Sequence, residues 1–212
     1  MLCGWWKVSL EGLMQILRRY WMLVLVSVLT GCGYNGIQTR DQAVKASWAE
    51  LLSQYQRRAD LIPNIVNSVK GETNFEQETL VRVIDARAKA TSIQVTPELA
   101  NDPAALQKFQ QAQGEVSSAV SRLLAVSENY PSLKSNQGFQ DLRAELEGTE
   151  NRIAIARNRY IKAVEEYNVF IRQLPQNLTA TVFGYKEKPQ FAVENEREMA
   201  KPPTVDFGGA KK

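Results

Sequence analysis

Residues 136–175 read NQGFQDLRAELEGTENRIAIARNRYIKAVEEYNVFIRQLP. Within them Phe139, Leu142, Leu146, Thr149, Ile153, Ala156, Tyr160, Val164, Tyr167 and Ile171 recur at steps of three and four, with one phase adjustment. That spacing is one face of an α-helix held for about nine turns. Asn136 is a residue type that caps a helix start, and Pro175 stops the run. At about 1.5 Å per residue, such a helix reaches roughly 54 Å. A stripe that long is buried only against other long helices, so the rest of the chain must supply them.

It does. From Asp41 to Lys70, the residues Trp48, Leu52, Tyr55, Ala59, Ile62, Val66 and Val69 alternate steps of four and three, with Val44, Leu51 and Ile65 widening the stripe. The pattern continues on both sides of Pro63, which predicts a kink there and not an end. Gly71 marks the stop. A second helix is predicted from about Asn74 to Ser92, with Phe75, Leu80, Val83, Ile84, Ala86 and Ala90 facing inward. Thr96-Pro97 and Asp102-Pro103 look like caps followed by Pro at the first helical position, within a connector over 93–102. A third helix follows from Pro103 to about Asn129, where Tyr130-Pro131 ends it. Its stripe contains Leu106, Phe109, Gln113, Val116, Val120 and Leu123, beside small residues at Ala105, Ala112 and Ala119. The fold class is therefore all-α: an antiparallel up-and-down bundle of about four long helices, the first kinked at Pro63. The seams are regular enough for local coiled-coil packing, which leaves a rod-like homo-oligomer open.

Composition narrows the chemistry. Hydrophobic residues make up 44% of the 212-residue chain, enough for a real core. There is no His, which removes His general bases, His triads and His-containing metal sites. The only Cys residues are Cys3 and Cys32, so no disulfide framework can form in the bundle. The net charge is +3, but Lys7, Arg18 and Arg19 against Glu11 account for most of it; the remainder carries 23 basic and 22 acidic residues. Nucleic acid is not the expected partner of so balanced a domain.

The N-terminus carries an export signal. Arg18 and Arg19 precede an apolar run of ten from Tyr20 to Leu29. That is the length of a signal-peptide core and about half of a membrane span. The flanking residues fit twin-arginine export poorly. Leu29-Thr30-Gly31-Cys32 then matches the bacterial lipobox, which implies a diacylglycerol thioether on Cys32, cleavage before it, and acylation of the new N-terminus with a palmitate-class chain. More than one acyl chain is what stable anchoring takes. The bland alternative is an uncleaved N-terminal transmembrane helix. The expected organisation is a signal peptide over 1–31 (with Met14 as an alternative start), a lipid-anchor tether over 32–40, the bundle over 41–185, and a mobile tail over 186–212. Positive residues before the apolar run place the bundle outside the cytoplasm, in the periplasm or at the cell exterior. Gly33 after Cys32 lacks the Asp that signals inner-membrane retention in some bacteria.

Several strings resemble the LemA family of bacterial membrane-associated proteins. They are residues 54–64 (Gln54 to Asn64, with Tyr55, Arg58 and Pro63), 86–90, 112–119, 128–131 and 146–154, with Tyr34-Asn35 near the start. The resemblance runs from about Tyr34 to Tyr185. It implies an antiparallel helical bundle at a membrane and no established enzymatic activity. Gene neighbourhoods in the family imply partners such as a membrane metalloprotease or TPM-domain proteins. The lipobox departs from the transmembrane helix that many members carry.

The candidate binding residues fall into two groups. Arg57, Arg58 and Asp60 precede Pro63 and could clamp an anionic ligand; the plainer reading is interhelical salt bridges that set register. Glu147 and Glu150, with Asn151 beside them, lie at i,i+3 spacing and could present carboxylates to a cation; the plainer reading is pairing with Arg or Lys. Gln113 is read as a register-setting polar residue on the third seam. No phosphate loop, nucleophile elbow or metal-ligand cluster is evident, so no catalytic residue, cofactor or metal is expected. The leading expectation is a membrane-anchored, non-catalytic scaffold or interaction module of the cell envelope. The alternative is a carboxylate-based metal-binding protein or hydrolase, which requires Glu147 or Glu150 buried with a third carboxylate.

Overall fold

The computed structural model describes residues 4–72, 75–96 and 98–191; the side chains of 4–13 and 22–32 fall outside that description. It contains α1 (Gly4–Lys70), α2 (Gln77–Ser92), a 3₁₀ turn (Leu99–Asn101), α3 (Pro103–Ser127), α4 (Pro131–Ser135), α5 (Gln137–Arg172) and α6 (Gln176–Phe183). No strand occurs among the described residues.

The start signals act as their chemistry predicts. Asp102 Oδ1 accepts from the Ala104 amide at 2.9 Å, with Pro103 at the first helical position. Asn136 Oδ1 accepts from the Phe139 amide at 3.1 Å. The second helix begins at Gln77, and Thr79 is buried where Ile84 was expected; Ile84 lies off the Leu80–Val83 line and faces solvent.

The long helices alternate in direction. Glu50–Arg159, Gln54–Arg152 and Arg57–Glu145 pair α1 with α5, one number rising as the other falls. Trp48 meets Phe109, and ten residues further along α1, Arg58 meets Gln113, so α3 runs with α1. The up-and-down bundle is therefore present.

Helix α1 continues through Pro63. Proline has no amide hydrogen, so the Ala59 carbonyl one turn earlier loses its helical donor. Arg87 of α2 replaces it, with Nε donating to Ala59 O at 2.7 Å. Continuity at this point is thus completed from a neighbouring helix.

The ordered structure extends past the expected bounds of the bundle at both ends. Residues 32–40, expected as a lipid-anchor tether outside the bundle, continue the α1 helix, with Ile37 buried in the core. Glycine permits this: a Cβ at Gly36 would lie 2.5 Å from Phe170 Cζ, and one at Gly33 would lie 3.0 Å from Thr179 Oγ1. Residues 186–191, expected to be mobile, form a strap. Asn168 brackets Lys188, accepting its amide at 2.9 Å and donating to its carbonyl at 2.8 Å. Lys188 Nζ reaches Asp41 at 2.9 Å, and Phe191 is buried against Trp48 and Tyr160. The remaining tail, 192–212, lies outside the described residues. Helix α6, between Pro175 and a left-handed Gly184 (φ 73°), was not foreseen.

A buried arginine layer as the candidate functional site

Arg58 is the largest fully buried side chain in the bundle, at 1% exposure. A guanidinium cannot shed its charge in a protein, so its burial demands partners. It has them on two other helices. From α3, the Gln113 side-chain oxygen accepts from Nη2 at 2.5 Å and the Gln113 carbonyl accepts at 3.1 Å. Ser117 Oγ, one turn on, accepts from Nη1 at 2.5 Å. From α5, Glu150 Oε1 accepts from Nη1 at 2.9 Å. Ser117 closes the ring by donating to Glu150 Oε2 at 3.1 Å. The Tyr55 ring covers the guanidinium at 5.3 Å.

This layer divides the core. On α1 it falls between Tyr55 and Leu61, on α3 between Phe109 and Val116, and on α5 between Leu146 and Ile153. The first-named residue on α1 and α3, and the second on α5, belong to an aromatic cluster near Gly33; the others belong to an aliphatic cluster at the far end. Half-buried Ile93 touches both clusters.

Clefts flank the layer on two sides. One of about 410 Å³ opens between α1, α2 and α3, with Leu52, Ile62, Ala90 and Phe109 on its wall beside Arg58 and Arg87. Its lining contains no Asp or Glu. A smaller one of about 170 Å³ lies between α3 and α5, against Ser117 and Glu150.

The two groups of candidate residues thus exchange members. Arg58 and Glu150, assigned to separate sites from sequence, are bonded to each other. Arg57 is exposed and pairs with Glu145 at 2.6 Å. Asp60 is exposed and accepts from Gln56 at 2.8 Å. Glu147 points elsewhere, to Arg143 at 2.9 Å. Asn151 is exposed on α5. The carboxylate-based alternative needed Glu147 or Glu150 beside a third carboxylate; instead a different arginine holds each one. Among the described residues no three Cys, Asp or Glu side chains converge as metal ligands. Ser117 and Arg87 were missed, although Gln113 and Ser117 are one turn apart in a quoted string. The lipidation assigned to Cys32 falls on a side chain outside the described ones.

The family model for LemA matches residues 47–207, which covers the seams, the layer and the strap. The chain belongs to the LemA family. Curated relatives are magnetosome proteins. MamQ 1 and MamQ 2 of Paramagnetospirillum magneticum are each 25% identical to this LemA protein, over 74% of this chain and 64% of theirs. MamQ of Magnetospirillum gryphiswaldense is 24% identical, over 85% of this chain and 73% of its own. The chain therefore spans less than two thirds of the length of the first two.

Proposed function

We propose that this LemA protein is a membrane-anchored, non-catalytic helical scaffold of the bacterial envelope that presents its bundle to a protein partner. The observation carrying this reading is the continuity of α1: one helix contains the apolar run, Cys32 and the central seam of the bundle. Whatever holds Cys32 at a membrane, acyl groups on it or the uncleaved helix before it, therefore holds the bundle through the same helix. The lipobox makes Cys32 the attachment point, with the uncleaved helix as the other form of the same reading. Among the described residues no helix is long and apolar enough to cross a membrane.

The non-catalytic part rests on the Arg58 layer. Its one buried charge, Arg58, is bonded to the half-buried Glu150, so the pair serves as a structural clamp between α1 and α5. The partner-facing part rests on the cleft between α1, α2 and α3, an apolar-walled opening beside Arg58 and Arg87 whose lining contains no Asp or Glu. A membrane protease or a TPM-domain protein is the partner class proposed.

Two measurements test this. Mass spectrometry of the mature N-terminus should find acylated Cys32; a peptide spanning an intact Gly31–Cys32 bond removes the lipid form. A photo-crosslinker at exposed Thr91, on the cleft rim, should capture a discrete partner in native membranes. If it captures nothing while the protein is folded and abundant, the interaction reading fails.

A further inference from the structure

Helix α6 buries Thr179 and Ala180 against the bundle and turns an apolar face outward. Leu174 is 76% exposed, Leu178 64%, Val182 80% and Phe183 57%. No charged residue occurs between Leu174 and Phe183. An apolar face this open on a short surface helix calls for an occupant.

Its position says which one. A Cβ added at Gly33 would touch Thr179 and come within 3.9 Å of the Gln176 Cα, so α6 lies against α1 one residue beyond Cys32. Leu29, the last residue of the apolar run, is four residues back, about 6 Å along the axis. The headgroup layer on each side of a bilayer is roughly 5–8 Å deep. Helix α6 therefore sits at headgroup depth whether the chain is held by acyl groups on Cys32 or by an uncleaved helix. Tyr34 packs on Phe183 at 5.1 Å and on Tyr185 at 6.4 Å, which places an aromatic cluster at the level where membrane proteins concentrate Tyr and Trp. Arg172 and Lys186 are exposed together beside the α5–α6 junction, where Glu187 pairs with Arg172 at 3.4 Å. A second copy is the weaker fit, because four side chains offer well under the roughly 800 Å² per partner of a stable interface.

We infer that the face formed by Leu174, Leu178, Val182 and Phe183 lies in the headgroup layer of the membrane to which the chain is attached. It would act as a second contact beside the anchor and fix the angle of the bundle. The inference rests on the membrane-anchored reading above.

The test uses the full chain in phosphatidylcholine–phosphatidylglycerol vesicles, in a Cys3→Ser background. An environment-sensitive fluorophore is placed at Leu178→Cys or, as a control, at Ile155→Cys, an equally apolar exposed site about 30 Å further along α5 from Leu174. The parent without an added cysteine supplies the background from Cys32. Spin-labelled lipids at headgroup depth should quench the probe at 178 and blue-shift its emission, leaving the probe at 155 unchanged. Vesicle flotation of the same samples separates the two readings. Flotation without quenching at 178 overturns the α6 contact and leaves the anchor standing; failure to float overturns the anchor itself. A blue shift that depends on protein concentration and is insensitive to labelled lipid assigns the face to a second copy, and also overturns the inference.

Discussion

The two halves of the core are built from different materials. The half nearest Gly33 stacks rings: Trp48 lies 5.1 Å from Tyr160 and 5.7 Å from Phe109, with Phe191 added from the strap. The far half is mostly aliphatic, with Val66, Val83, Val120 and Leu123 packed around Ala86, Ala90 and Ala112. Large rings fill the space between α1, α3 and α5 where α2 does not reach, since α2 has 16 residues against 36 in α5. Small residues let α2 approach closely where it does reach. The near half also contains a phenol, Tyr160, whose hydroxyl finds no partner among the described residues; burial pushes its pKa to about 12. The comparison teaches that the bundle is two cores joined by one ionic layer.

The largest expected effect separates the halves. Phe109→Ala should cost about 3–5 kcal/mol, and Leu123→Ala about 3. Hydrogen exchange then decides the matter: Phe109→Ala should strip protection from α3 before residue 113 while the far half keeps its own. Equal loss at both ends would break the division and make the bundle one cooperative unit. Next is the layer itself. Arg58→Met leaves Glu150 and Gln113 without their donor and should cost about 3 kcal/mol in denaturant melts. The double variant Arg58→Met/Glu150→Leu should recover part of that loss, because Glu150 is no longer left without its partner while Gln113 still is. A smaller effect links α2 to Pro63. Arg87→Met should cost about 1.5 kcal/mol in the wild-type background and close to nothing in Pro63→Ala, where residue 63 supplies the amide hydrogen to Ala59. An equal loss in both backgrounds would show that Arg87 acts by other means.

The sequence made some of this legible and withheld the rest for physical reasons. The four long helices were readable because each repeats its signal over several turns. Asp102 and Asn136 were readable as caps because capping is local. The Arg58–Glu150 pair was not, because 92 residues separate its members and no periodicity encodes which polar residues on two seams will meet. Arg87 could have been sought, since every proline inside a helix leaves a carbonyl that needs a donor. Gly33 and Gly36 invite reading as loop residues, yet here they permit close approach between helices. The lipobox ends just before them, which made a tether the natural expectation. Helix α6 has only eight residues, too few for a periodic signal to stand out.

The smallest effect concerns how the strap joins the near half. Burial alone would raise the Asp41 pKa, but hydrogen bonds from Lys45 and Lys188 outweigh it and hold the carboxyl below its usual range. A lowered folded-state pKa stabilises above the unfolded value, and that stabilisation is lost as pH falls through the folded one. The strap should therefore stay fastened at neutral pH and through the ordinary carboxylate range near 4, and loosen only below it. Because Phe191 packs 6.3 Å from Trp48, loosening should change Trp48 emission, and exchange at residues 186–191 should rise with it. Asp41→Asn isolates this step from the other carboxylates that titrate in acid. In that variant Lys188 has lost its charged partner at every pH, while Asn168 still brackets the Lys188 backbone and Phe191 still fills its place. Protection over 186–191 should then be lower at neutral pH and flat with acidification. An acid response that persists unchanged in Asp41→Asn would assign it to another carboxylate, such as Glu187, which lies 3.4 Å from Arg172 within the strap, and would make the Asp41–Lys188 pair a bystander.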